Sequence, residues 1–235
     1  MTIGVVVFPG TNCEADVVEA VSYLGGDAEH LWHTERRIPP NVDAVVLPGG
    51  FAHGDYLRTG AIARFSPVMD AVAAFADAGG PVLGICNGFQ ILCEAGLLPG
   101  ALQKNAGLRF LCTSVDIAVA NATTCATSVI RAGDVLRLPI NHFEGSFTCS
   151  ETTRRELAEH NQIVFRYCRN PNGSVDDIAG ISNRGGNVVG LMPHPERACH
   201  ALLGSIDGQC ILLSLMATAG RGEAVREAAG ATSPG

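Results

Sequence analysis

Cys86 stands in the stretch PVLGICNGFQIL, between an apolar run that reads as a strand, Val82 to Ile85, and apolar residues at helical spacing, Phe89, Ile91, Leu92 and Ala95. Gly84 and Gly88 flank it two positions away on each side, giving G-x-C-x-G. That pattern is the thiol counterpart of the G-x-S-x-G nucleophile elbow, in which a sharp strand-to-helix turn presents the nucleophile at the edge of a sheet. Glycines on either side relieve the crowding such a turn creates. The amides and positive dipole end of the following helix favour thiolate over thiol, so the chemistry expected of Cys86 is nucleophilic attack.

A thiolate nucleophile needs a base, a group that orients the base, and donors for an oxyanion. His194, in LMPHPER directly after the strand-like run Asn187 to Leu191, is the candidate base. Glu196 follows two positions on, so in an extended segment it leans to the same side and accepts the other imidazole N–H, which fixes the tautomer. Taken alone, the pair reads equally well as a surface ion pair. Amides of the Gly49-Gly50-Phe51 turn and of Asn87 are the candidate oxyanion donors.

The remaining cysteines, Cys13 and Cys93 among them, read as buried apolar residues, and His30, His33, His160 and His200 as solvated or capping residues. FPGTN at residues 8–12 fits neither phosphate-loop pattern and reads as a turn at the edge of a pocket. Nine cysteines, an odd number, occur without a C-x-x-C pair or zinc-like Cys/His spacing, so neither a disulfide framework nor a metal site is expected and the thiols point to a reducing compartment. A net charge of -7, with Lys104 the one lysine, argues against nucleic acid as a partner. No apolar run is long enough to cross a bilayer, and MTIGVVVFPG lacks the basic stretch and cleavage site of a signal peptide. A cytoplasmic protein without a membrane partner is expected.

Positioning these residues calls for an α/β scaffold. Strand Thr2 to Phe8, helix Asn12 to Leu24, strand Ala44 to Leu47, helix Ala61 to Ala78 and strand Val82 to Ile85 alternate as in a parallel sheet with crossover helices, with Asn12 as the first N-cap. From Leu108 to Leu191 the strand-like runs LRFLCTSVDIAV, VLRLPIN, IVFRYC and IAGIS follow one another through short turns, which predicts antiparallel strands added to that sheet. The expected fold is an open, mostly parallel sheet with helices on both faces and added antiparallel strands. One domain spans residues 1–220, ending in a helix from about Gly208 to Thr218, and 221–235 reads as a flexible tail. Ligands of such sheets bind beyond the carboxyl ends of the strands, where FPGTNC, LPGGFAHGDYLRTG and the Cys86 elbow all fall.

GICNGFQIL together with MPHPER resembles the class I, or triad, glutamine amidotransferases. VFPGTNCEADV, LPGGFAHGDYLRTGAIA and NPNGSVDDIAGISNRGGNVVGLMPHPERA are similar, within that class, to glutaminase subunits that serve a separate purine-biosynthetic synthetase. The resemblance implies that Cys86 attacks the side-chain amide of glutamine, that His194 is the acid/base and that Glu196 orients it. It further implies that Gln90 contacts the amino-acid end of glutamine, that Gly50, Phe51 and Asn87 lie near the oxyanion, and that His142 is a glutamine contact. No cofactor is expected in this chain. ATP and magnesium would belong to a large synthetase subunit, which with a small accessory subunit forms the implied set of partners. Where the family carries tyrosine and H-G-E-G, this sequence has His53 and, at 142–145, H-F-E-G, so Phe143 bars a left-handed backbone at that position. Rival readings are a stand-alone amidase or cysteine peptidase on the same scaffold, a triad amidotransferase with another acceptor, and a scaffold whose triad is a relic.

Overall fold

Short uninterrupted runs of Val, Ile and Leu become the central strands, because a strand covered on both faces has no polar positions. The computed structural model describes residues 1–230, with backbone alone over 221–230. Its first half runs β1 (Thr2–Val7), α1 (Glu14–Tyr23), β2 (Asp27–Trp32), β3 (Val42–Leu47), α2 (Pro67–Asp77), β4 (Val82–Ile85) and α3 (Asn87–Glu94). The second half runs β5 (Ala101–Gln103), β6 (Leu111–Val119), β7 (Val135–His142), β8 (Ser146–Thr148), α4 (Glu151–Glu159), β9 (Ile163–Tyr167), β10 (Ile178–Ser182), β11 (Val188–Leu191) and α5 (Gly208–Gly230). Every residue of β3, β4, β10 and β11 is buried.

Nine strands form one sheet in the order β2-β1-β3-β4-β11-β10-β9-β6-β7, and β5 pairs separately with β8. β2, β1, β3, β4 and β11 run parallel, whereas β10, β9, β6 and β7 continue the sheet antiparallel. The step from β1 to β2 and the step from β3 to β4 go in opposite directions across the sheet. Right-handed crossovers therefore put α1 and α2 on opposite faces. The expected mixed, mostly parallel α/β sheet is the observed one.

Several local expectations differ. β2 reads DAEHLW, too polar to show as a strand, and is an exposed edge whose order comes from its pairing with β1. α4, ETTRRELAE, buries only Leu157 and starts at Ser150, whose side chain accepts from the Thr153 amide at 3.1 Å. The helix expected over Ala61 to Ala78 is broken: Ala63–Phe65 forms a 3-10 turn, Ser66 is extended at ψ 138°, and α2 restarts with Pro67 in its first turn. Asn12 does not cap α1; Cys13 occupies the cap position without a side-chain cap bond. The last helix passes the expected Thr218 end and runs to Gly230, since GEAVREAA is rich in strong helix formers. The tail expected over 221–235 is thus helical backbone over 221–230, and 231–235 lie outside the described residues.

The turn from β4 into α3 depends on a close approach. A Cβ on Gly88 would lie 1.9 Å from the Leu47 carbonyl oxygen of β3, and one on Gly84 would lie 2.8 Å from the Gly88 carbonyl. Backbone on neighbouring elements cannot yield to a methyl group. Gly88→Ala is expected to cost about 3 kcal/mol or more, or to prevent folding, whereas Gly107→Ala, with nothing within 4 Å of its Cβ, leaves the urea midpoint unchanged. Equal midpoints for the two variants would contradict the packing described.

Candidate active site

β4 and β11 are parallel neighbours with Ile85 opposite Leu191, so the segments leaving them start at the same height. The Cys86 amide donates to the Leu191 carbonyl at 2.8 Å and closes that end of the ladder. Cys86 itself has φ 50° and ψ -104°, a backbone conformation that costs a non-glycine residue about 1–3 kcal/mol. Its carbonyl accepts from the Gln90 amide at 3.1 Å to begin α3, and its sulfur sits 3.9 Å from the Asn141 carbonyl of β7. The expected nucleophile elbow is present.

His194 follows β11 in an extended conformation and donates its amide to the Pro139 carbonyl of β7 at 2.8 Å. The far edge of the sheet thus curls back onto the site. Glu196 is not in an extended segment, as expected from spacing, but in a 3-10 turn, Pro195–Ala198, opened by Pro195. It still reaches the imidazole: Nδ1 lies 2.6 Å from Glu196 Oε1, with both side chains almost fully buried. Burial pulls the imidazole pKa down, but the Glu196 charge and the Cys86 charge beside it outweigh that effect. The net pKa lies well above the ordinary histidine value. Nε2 is buried without a hydrogen-bond partner among the described residues, which leaves it open to exchange a proton.

Cys86 and His194 open into a cavity of about 330 Å³ also lined by Gly50, Phe51, Gln90 and His142. A larger groove of about 800 Å³ shares Asn141 and Arg197 with it and is also lined by Glu196 but not by Cys86, so the smaller cavity is the one onto which the sulfur opens. Gly50 bridges to Thr11 at φ 140°, and a Cβ there would lie 2.7 Å from the Asn12 amide nitrogen. Phe51 lines the cavity, but its amide donates to the Gly10 carbonyl at 3.0 Å and is not a free oxyanion donor. That leaves the amides of Gly49, Gly50 and Asn87, of which Gly50 lines the cavity and Asn87 stands in the first turn of α3. The Asn87 side chain is occupied: Oδ1 accepts from the Ala52 amide at 3.0 Å, and Nδ2 donates to Gln90 Oε1 at 2.9 Å and to Asp55 Oδ1 at 3.3 Å. Gln90 in turn donates to the Glu144 carbonyl, which ties α3 to the 142–145 loop. In this arrangement both polar ends of the Gln90 side chain are bonded to protein.

His142 is 4% exposed, lines the cavity, and has no hydrogen-bond partner at either ring nitrogen among the described residues. Phe143 is not among the residues at positive φ, so H-F-E-G turns without the left-handed backbone that glycine would permit. His53 does adopt φ 54° and lies 3.3 Å from the Ser66 hydroxyl. Spacing did not single out Asp55 and Glu144, which line the same cavity. Burial and the Glu144 charge push the Asp55 carboxyl up to about 6, against the Asn87 hydrogen bond. Cys13, expected as a plain core residue, is buried beside the triad: its sulfur accepts from Arg197 Nη2 at 3.1 Å, and Arg197 Nε is held by Asp16 at 2.9 Å. The available signal was position alone, since Cys13 falls in the loop beyond the carboxyl end of β1.

The family model of the CobB/CobQ-like glutamine amidotransferase domain matches residues 1–209. The phosphoribosylformylglycinamidine synthase subunit PurQ of Rubrobacter xylanophilus is 54% identical over 219 residues, which is 93% of this chain and 99% of that protein. A chain of the PurLQS structure from Thermotoga maritima superposes with a TM-score of 0.85 at 38% identity, over 92% of this chain and 98% of its own. The structure of a glutamine amidotransferase from Thermotoga maritima shares the fold, with a TM-score of 0.54 at 18% identity over 95% of this chain and 92% of its own.

Burial and the neighbouring His194 lower the His142 pKa from 6.5 to about 4. The unfolded chain therefore takes up a proton near pH 6.5 that the folded chain refuses until about pH 4, so this contribution to stability is complete above pH 6.5 and is lost as pH falls through that window. The loss is up to about 3 kcal/mol. His142→Asn should flatten the fall in urea stability between pH 7 and pH 4.5 relative to the parent. Identical pH slopes would show that His142 is not held neutral.

Proposed function

The chain belongs to the CobB/CobQ-like glutamine amidotransferase family, and from that membership we propose that it is the glutaminase subunit of a phosphoribosylformylglycinamidine synthase, releasing ammonia from glutamine for purine biosynthesis. The observation that carries the mechanism is the buried His194–Glu196 pair, 2.6 Å apart, set beside a cysteine held at φ 50° on the neighbouring strand end.

Cys86 attacks the side-chain amide carbon of glutamine. The tetrahedral oxyanion is met by the Gly50 and Asn87 amides. His194, charged because Glu196 and Cys86 raise its pKa, gives its Nε2 proton to the departing nitrogen, so ammonia leaves and a glutamyl thioester remains. The imidazole then takes a proton from water, the hydroxide attacks the thioester carbon, and the C–S bond breaks to release glutamate and restore the Cys86 thiolate beside the His194 imidazolium. Glu196 keeps Nδ1 protonated throughout and stabilises the imidazolium. Asn87, through Ala52, Asp55 and Gln90, fixes the loop that carries the oxyanion turn against α3.

The ammonia passes to a large synthetase subunit, where ATP and magnesium activate the acceptor, with a small accessory subunit completing the complex. The relatives' names, a PurLQS assembly and a synthase subunit, support this reading. All nine cysteines are unpaired, Cys112 and Cys168 at the surface, which suits a cytoplasmic, reducing setting. Among the described residues no helix is long and apolar enough to cross a membrane.

Glutamate release by the chain in complex with its synthetase is the test. Cys86→Ala should fold, lose glutamine use and leave synthesis from supplied ammonium intact. Glu196→Gln should lower turnover by about 10²–10⁴-fold with a smaller change in KM. Glutamine consumption by Cys86→Ala would refute the thioester route, and full activity of the chain on peptides without a synthetase would favour the peptidase reading instead.

A further inference from the structure

Cys13 is a buried thiol for which glutamine hydrolysis has no use. Its sulfur, a nitrogen of His194 and a carboxylate oxygen of Glu196 all lie within 4.8 Å of one another. The three residues are 3%, 1% and 2% exposed. Glu196 uses Oε1 on the imidazole, while Oε2 is buried without a hydrogen-bond partner among the described residues. Cys13 and His194 also line the cavity that holds the nucleophile, so a small ion has a route in.

A sulfur, an imidazole nitrogen and a carboxylate oxygen are the donor set of a tetrahedral Zn²⁺ site with one position left open, and they do not suit hard Mg²⁺ or Ca²⁺. We propose that Cys13, His194 and Glu196 form an inhibitory zinc site inside the catalytic centre. Coordination replaces the thiol proton of Cys13 and the Nδ1 proton of His194 with the metal, and both protons go to solvent. The imidazole then has Zn²⁺ where its acid/base cycle needs the Glu196 hydrogen bond, so hydrolysis stops until a chelator removes the ion. Because protons leave, zinc binds more tightly as pH rises. Cys86 is not a ligand. This distinguishes the site from the simpler case in which zinc bridges the nucleophile and the base.

Binding is measured without reference to turnover, by titrating the full chain with Zn²⁺ against a chromogenic chelator in the parent and in Cys86→Ala. Both should take up one tightly bound ion. Loss of an outer partner alone weakens metal sites by roughly 10–100-fold, so Cys13→Ala or Cys13→Ser in the Cys86→Ala background should weaken binding by at least about 100-fold. The serine variant keeps the side-chain volume, and circular dichroism checks that each variant is folded. In the Cys86-containing enzyme, Cys13→Ser should need correspondingly more zinc for half-inhibition of its own zinc-free rate. The inhibition half of this inference rests on the amidotransferase reading, whereas the binding half does not. Unchanged affinity in both Cys13 variants overturns the site, as does loss of binding in Cys86→Ala, which would move the ion onto the nucleophile. Glutamine use by Cys86→Ala would instead overturn the proposed reaction and leave the zinc result standing.

Discussion

The structure of the site follows from one pairing, the parallel ladder between β4 and β11 with Ile85 opposite Leu191. A slip of one residue would turn every side chain of one strand to the other face and separate Cys86 from His194. The ladder resists that slip because all eight residues of the two strands are buried, between β3 on one side and β10 on the other. It is also closed at its end by the Cys86 amide on the Leu191 carbonyl, so the bond that completes the sheet is the bond that places the nucleophile. The long excursion from α3 through β10 exists between two strands that lie side by side.

That excursion is part of the site. β7, at the far edge of the nine-stranded sheet, returns to give its Pro139 carbonyl to the His194 amide and its Asn141 carbonyl to the vicinity of the Cys86 sulfur. The parallel half supplies the strand ends and the antiparallel half closes over them. The 142–145 loop beyond β7 is fastened to α3 by Gln90, and α3 to the β3 loop by Asn87. A single buried amide network therefore connects the elbow, the oxyanion turn and the wall of the cavity. Buried networks of this kind stay rigid only when every member is bonded, and Asn87 uses both of its side-chain polar atoms.

That Cys86, His194 and Glu196 belong to one site was legible in the sequence because each depends on a local pattern: glycines around Cys86 and prolines around His194. The fold class was legible because β1, β3, β4 and β11 are short apolar runs. What escaped was held by partners rather than by pattern. β2 and α4 carry too little apolar surface to announce themselves, and the first depends on β1 for its order. The commitment of the Phe51 amide to Gly10 follows from the bridge between Thr11 and Gly50, a contact that spacing cannot show. Cys13 looked like any buried thiol because its neighbours, His194, Glu196 and Arg197, come from the other end of the chain.

The buried His194–Glu196 pair has its own physical logic. Removing two charges from water costs more than a surface pair recovers, so such a pair is weak evidence for stability. Here the pair is retained at 2.6 Å with almost no exposure, and its second oxygen is unpartnered among the described residues, an arrangement that stability alone would not favour. What it achieves is a raised imidazole pKa beside the nucleophile, the opposite of the effect burial has on His142 in the same cavity. Two histidines sharing one pocket are thus driven apart: one is held charged by a carboxylate, the other neutral by burial and by the first one's charge. The low dielectric that makes Glu196 expensive to bury is what makes its field strong enough to set that difference.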